Sequence, residues 1–133
     1  MEQHYLYVED DPMSRQIMQI IIENGVGSKN IIIFDNSTDF MARMTHLPHI
    51  PTIILLDIHV RPYDGFQMLT MLREDSRFDD SKIIALTASV MNEEVEQLRK
   101  AGFDGAIAKP LSIQTFPELL RRIITGESVW HIV

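Results

Sequence analysis

The chain has 133 residues, a formal net charge of −7, 45% hydrophobic and 23% charged residues, which fits one globular domain with its own core. It has no cysteine, which excludes a disulfide framework and a thiolate metal site, and no apolar run long enough to span a bilayer. The acidity argues against direct nucleic-acid binding, which needs clustered Lys and Arg, and Met1-Glu2-Gln3-His4 lacks the regions of a signal peptide, so the cytoplasm is the expected compartment.

Residues 4–8 read as a first strand that stops at Glu9-Asp10-Asp11-Pro12. Asp11 and Pro12 suit the N-cap and first position of a helix. Met13, Ile17, Ile20, Ile21 and Asn24 then recur at helical spacing, with Gly25 expected to end the helix. Met18 and Ile22 lie beside that core-facing set and are expected to be partly exposed, as docking would require; the alternative is a wide core stripe. Residues 31–34 predict a second strand, and Asn36 or Ser37 can cap a helix carrying Phe40, Met41 and Met44. The run 52–57 is apolar on both alternations, the mark of a strand buried on both faces.

Asp64-Gly65 opens a third helix with Phe66, Met68, Leu69 and Leu72, and residues 83–86 predict a fourth strand. Residues 92–101 form a fourth helix with Met91, Val95 and Leu98 on one side and Gly102 past its end. Residues 106–108 are a short fifth strand. The fifth helix runs from 116 to 125, with Pro117 in a first turn capped by Thr115. Five strand–helix units in strict alternation imply an α/β fold, a parallel sheet with helices on both faces. One domain over 1–126 is expected, with a tail over 127–133 too short for an output domain. Trp130, Ile132 and Val133 either pack back on the body or meet a partner, and the sequence does not decide between these.

Ligands of open α/β sheets bind beyond the carboxyl ends of the strands. Those ends carry Glu9-Asp10, Asp57, Thr87 and Lys109-Pro110. Each has an ordinary reading: acids favour helix N-termini, an Asp closing a strand bonds its own turn, Thr87 caps a helix, and Lys109 is an incidental cation. Taken singly, the ordinary reading is the better one. Their joint arrival at one edge points to chemistry. Crowded carboxylates favour a hard divalent cation with oxygen ligands, and Mg²⁺ takes one or two carboxylates with waters and phosphate oxygens. A metal and a fixed Lys neutralise a phosphoryl group in flight, and a carboxylate can accept that group.

These residues resemble the receiver domains of two-component response regulators. The resemblance spans residues 4 to about 125 and is carried by Val8-Glu9-Asp10-Asp11-Pro12, Leu56-Asp57-Ile58, Asp64-Gly65, Ala85-Leu86-Thr87-Ala88, Ala101-Gly102-Phe103-Asp104-Gly105 and Lys109-Pro110. It implies a flavodoxin-like (βα)5 architecture in three layers, a five-stranded parallel sheet of order 2-1-3-4-5, an order of which a receiver domain is itself a known example. It implies that Asp57 is the phospho-acceptor, that Glu9 and Asp10 form the acidic pair, and that Mg²⁺ is bound by Glu9, Asp10, Asp57 and the backbone carbonyl of His59. Thr87 would be the switch hydroxyl, Lys109 the partner of the phosphoryl group, and the bond before Pro110 cis.

The partners it implies are a sensor histidine kinase or phosphotransfer protein, and an effector or second copy meeting the face of the fourth helix, fifth strand and fifth helix. It implies a signalling switch, not an enzyme acting on external substrates. Three departures from the family pattern stand out: Ala106 where many receivers carry an aromatic residue, Arg61-Pro62 in the loop after Asp57, and His59 and Ser89 flanking the site. The second-ranked reading is a pseudo-receiver, the same fold used only for binding. An FMN-binding flavodoxin is disfavoured because Glu9-Asp10-Asp11 would repel a phosphate after the first strand. A haloacid-dehalogenase-type hydrolase would carry Asp-x-Asp after the first strand, which this chain does not.

Overall fold

β1 (Tyr5–Val8) is buried at every position, so it must lie inside a sheet covered on both faces. A computed structural model of the chain, which describes residues 2–88 and 91–131, places it between β2 (Ile31–Phe34) and β3 (Ile53–Asp57), all parallel. β4 (Lys82–Thr87) pairs with β3, and β5 (Gly105–Ala108) with β4, again parallel. The five expected strands thus stand in the flavodoxin-like order 2-1-3-4-5. Among the described residues no helix is long and apolar enough to cross a membrane.

The alternation of side chains along the strands divides the core in two. Leu6, Val8, Ile54, Leu56, Ile83 and Ala85 face α2 (Phe40–Thr45), α3 (Gly65–Arg73) and α4 (Asn92–Ala101). Tyr5, Tyr7, Ile53, Leu55, Ile84 and Leu86 face α1 (Pro12–Ile20) and α5 (Phe116–Ile124). Every buried side-chain nitrogen and oxygen among the described residues has a hydrogen-bond partner, as a packed interior requires.

The helix starts follow from local chemistry. Asp11 caps α1 by accepting the Ser14 N–H, with Pro12 in the first turn. Asp64 and Gln67 form a reciprocal capping box on α3. Gly102, at φ 109°, ends α4.

Several local expectations are corrected. α1 does not stop at Gly25: it widens into a π turn over Ile21–Val26 and ends at Gly27, whose φ of 80° admits glycine readily. Gly25 instead lets Pro117 pack against it, since a Cβ there would collide with the proline ring. Met18 and Ile22, expected to be partly exposed, are both 0% exposed, whereas Met13 and Ile20, placed in the core-facing set, are 63% and 42% exposed. The stripe of α1 is the wide one, Ile17 with Met18, Ile21 and Ile22, because the helix packs against both the sheet and its neighbour α5. Met91 is likewise exposed.

Neither Asn36 nor Ser37 caps α2. Its N-cap is Asp39, while the Asn36 side chain accepts the Thr38 N–H in a local turn and Ser37 is buried against the loop after β3. Ser89, Ile132 and Val133, singled out in the sequence, lie outside the described residues.

The tail packs back on the body. β6 (Trp130–His131) adds to β5 in parallel, Ala106 opposite Trp130, so the sheet has six strands. The Ala106 N–H donates to the Val129 carbonyl at 2.9 Å. Register partners share a face, and Trp130 packs on the core beside α4, with the Arg99 guanidinium 4.3 Å from its ring centroid. Gly105 makes the approach possible, because a Cβ would collide with the Val129 carbonyl. Gly105→Ala is therefore expected to loosen the tail at a cost of about 1–3 kcal/mol. Trp130 is the only tryptophan, so red-shifted emission with unchanged far-UV circular dichroism, alongside a lower urea midpoint, checks this.

Candidate functional site

The order of the strands creates the site. β1 and β3 are neighbours and their carboxyl ends carry Glu9, Asp10 and Asp57, while Thr87 and Lys109 end β4 and lead out of β5. Carboxylate oxygens of Glu9, Asp10 and Asp57 all lie within 4.8 Å of one another. Glu9 and Asp57 are only 1% and 4% exposed, whereas Asp10 is exposed. The sheet thus buries two acids and leaves the third at the mouth.

The Lys109 ammonium holds them. Its Nζ lies 2.7 Å from Glu9 Oε1 and 3.6 Å from Asp57 Oδ1. The backbone fixes its root: the Lys109 N–H donates to the Thr87 carbonyl at 2.8 Å, and the Lys109–Pro110 bond is cis, as the resemblance implied. Thr87 is itself buried at the end of β4. All five side chains that the sequence picks out at the strand ends therefore reach one edge of the sheet. The imidazole-bearing residue His59 is exposed; its backbone N–H approaches Asp57 Oδ1 at 3.4 Å.

The loop after Asp57 is shaped by a second cis bond, Arg61–Pro62, and clamped by Ser37. The Ser37 N–H donates to the Arg61 carbonyl at 3.0 Å, and its hydroxyl exchanges hydrogen bonds of 2.7 Å with the Tyr63 carbonyl and N–H. Sequence reasoning missed Ser37 in this role, and a serine before a helix carries no signal for it. It also missed Tyr7, whose hydroxyl donates to Glu9 Oε1 at 2.7 Å. Here the signal existed: Tyr7 and Glu9 are two residues apart on a strand, hence on one face. Arg15 adds a third support by donating to the Glu9 carbonyl at 3.0 Å.

Burial and crowding set the protonation. Burial, then the hydrogen bond and charge of Glu9, push the Asp57 carboxyl up to about 6, against the pull of Lys109. Burial also acts to raise Glu9, but hydrogen bonds from Lys109, Asp57 and Tyr7 outweigh it and hold Glu9 below its ordinary value. Burial opposes the charge on Lys109, yet Glu9 and Asp57 raise it. The cluster sets three carboxyl groups against one ammonium. The donors are hard oxygens, two of them from buried carboxylates, and that set fits Mg²⁺ and not a soft metal.

The model of the response regulator receiver domain family matches residues 5–121. A curated relative, Response regulator Rre1 of Synechocystis, is 29% identical over 92% of this chain, which spans only 52% of that protein. Among solved structures, the chemotaxis response regulator CheY4 of Vibrio cholerae superposes with a TM-score of 0.82 at 19% identity, covering 92% of this chain and 99% of that one. The Mn²⁺-bound form of response regulator Rcp1 superposes at 0.73 and 18%, with 94% of each chain covered.

The raised Asp57 fixes a sign. A carboxyl that holds its proton to about pH 6 folded, but to only about pH 4 unfolded, contributes stability below pH 4 that is lost as pH rises through 6. Asp57→Asn is therefore expected to stabilise the chelator-treated protein at pH 7–8 by about 1–3 kcal/mol. The gain shrinks as pH falls from 6 to 4. Urea unfolding of both proteins across that range measures it.

Proposed function

The chain belongs to the response regulator receiver domain family, and from that premise we propose that it is a phospho-acceptor switch in which Asp57 takes a phosphoryl group. The observation that carries the proposal is the placement of Lys109 between Glu9 and Asp57 at the rim of a buried carboxylate cluster. A structural cluster would gain nothing from leaving Asp57 with its charge disfavoured, whereas a nucleophile and its counter-ion need this arrangement.

In the proposed reaction an Asp57 carboxylate oxygen attacks the phosphorus of a phosphohistidine. The new O–P bond forms as the P–N bond breaks, and the imidazole leaves. Lys109, 3.6 Å from Asp57 Oδ1, meets the charge gathered on the phosphoryl oxygens. Thr87, buried at the end of the neighbouring strand, donates its hydroxyl to one of those oxygens. Glu9, Asp10, Asp57 and the His59 carbonyl would hold Mg²⁺, which supplies charge neutralisation when bound; the Mn²⁺ in the Rcp1 neighbour supports a divalent ion here. A sensor histidine kinase or phosphotransfer protein would be the donor, and the face of α4, β5 and α5 would carry the signal to a separate effector or second copy. The tail strand now forms part of that face.

The pseudo-receiver is the second reading; it draws on Ala106 and the Arg61–Pro62 loop. The test is intact mass after incubation with Mg²⁺ and a small-molecule phosphodonor. One phosphoryl group is expected per chain, and none in Asp57→Asn or with excess chelator. A folded protein that gains no mass with any donor would leave the pseudo-receiver in front.

A further inference from the structure

Tyr7 is fully buried in an apolar surround that includes Met18, Leu55, Ile107 and Phe116. Packing there calls for a ring but not for a hydroxyl, and a buried hydroxyl is costly unless bonded. The hydroxyl bonds Glu9 Oε1 at 2.7 Å, the same oxygen that takes the Lys109 ammonium at 2.7 Å. Glu9 Oε2 receives the Asp11 N–H at 3.3 Å. The two donors on Oε1 fill its acceptor sites, and they differ in kind. The phenol is fixed in the core, with its ring fully buried and its O–H on Glu9 Oε1. The ammonium sits on a flexible stem and has a second anion, Asp57 Oδ1, 3.6 Å away.

We propose that Tyr7 is a positioning residue that makes Lys109 releasable: its O–H stays on Glu9 Oε1 while the ammonium moves from that oxygen to a phosphoryl group on Asp57. The inference rests on the phospho-acceptor reading above. Without the phenol, a departing Lys109 would strand Oε1 of a carboxylate that is 1% exposed, and a buried anion left without its donor is strongly disfavoured. Lys109 would then stay with Glu9. With the phenol, the oxygen keeps one charge-assisted hydrogen bond throughout. Tyr7 touches no reacting atom and acts only through Glu9 and Lys109.

The test is a double-substitution cycle on the full chain, Tyr7→Phe with Lys109→Met, read first as thermal midpoints without metal. Each single change removes one of these two donors from Oε1 and the double removes both. The double is therefore expected to lose more than the sum of the singles; strictly additive losses would overturn the inference. The second reading is the phosphorylation rate by intact mass at saturating Mg²⁺. Tyr7→Phe is expected to slow it about fivefold, the weight of one hydrogen bond, with Mg²⁺ affinity measured without phosphodonor inside about twofold of the unsubstituted chain. Rate and Mg²⁺ affinity falling together would reduce Tyr7 to structural support, and an unchanged rate would remove its role while leaving the phospho-acceptor reading intact. No phosphorylation of the unsubstituted chain would remove both.

Discussion

The structure turns on a buried excess of negative charge at the carboxyl end of β1 and β3, held by one ammonium. Glu9 and Asp57 are nearly inaccessible to water, and charges removed from water must find partners or lose their charge. Lys109 is one partner, Tyr7 the other. The rest of the fold brings these groups into reach. Glu9 and Lys109 are 100 positions apart, and only a sheet in which β1, β3, β4 and β5 run side by side in parallel closes that distance. The apolar faces of α1 to α5 supply the burial that holds the strands together, and through it the low-dielectric setting that makes the charges interact strongly.

Most of this was legible in the sequence, for a physical reason. Continuous apolar runs such as residues 52–57 identify buried parallel strands. Asp11-Pro12, Asp64-Gly65 and Gly102 mark helix ends whose chemistry is local. Strict alternation of strand and helix, with the handedness of crossovers, then leaves few topologies, and the strand ends name the site residues. What sequence reading misjudged was orientation and continuity. A helix covered by both a sheet and a neighbouring helix buries a wide stripe, so Met18 and Ile22 are core and Ile20 is not. The π turn over Ile21–Val26 adds a residue that a 3.6 period does not contain. Ser37 and the tail were not legible because their contacts, with the loop after Asp57 and with Gly105, are tertiary.

The tail changes the character of the β5 edge. In a five-stranded sheet β5 would present unpaired backbone groups, a template for association. Here Val129 and β6 occupy that edge, and Trp130 stands on the α4 side beside Ala106. The small Ala106 side chain and the bulky Trp130 are register partners, so the room left by one is next to the ring supplied by the other. The Arg99 guanidinium ties that ring to α4. Any partner of this face meets β6 as the edge strand, with the indole and a guanidinium beside it, in place of β5.

Charge arithmetic connects the resting site to its proposed use. With Asp57 ionised, three carboxylates face one ammonium, a surplus of two negative charges that a divalent cation would neutralise. A protonated Asp57, favoured below about pH 6, relieves the same surplus by giving up the nucleophile. Metal and proton would therefore compete for one role, and the proposed acceptor would be ready only where the metal wins. In the proposed transfer the phosphoryl group would add charge beyond the carboxylate's own, which a relocated ammonium would meet. A cluster already neutral, with Lys109 locked on Glu9 and Asp57 fully paired, would have neither affinity for a cation nor a cation to offer the proposed phosphoryl group.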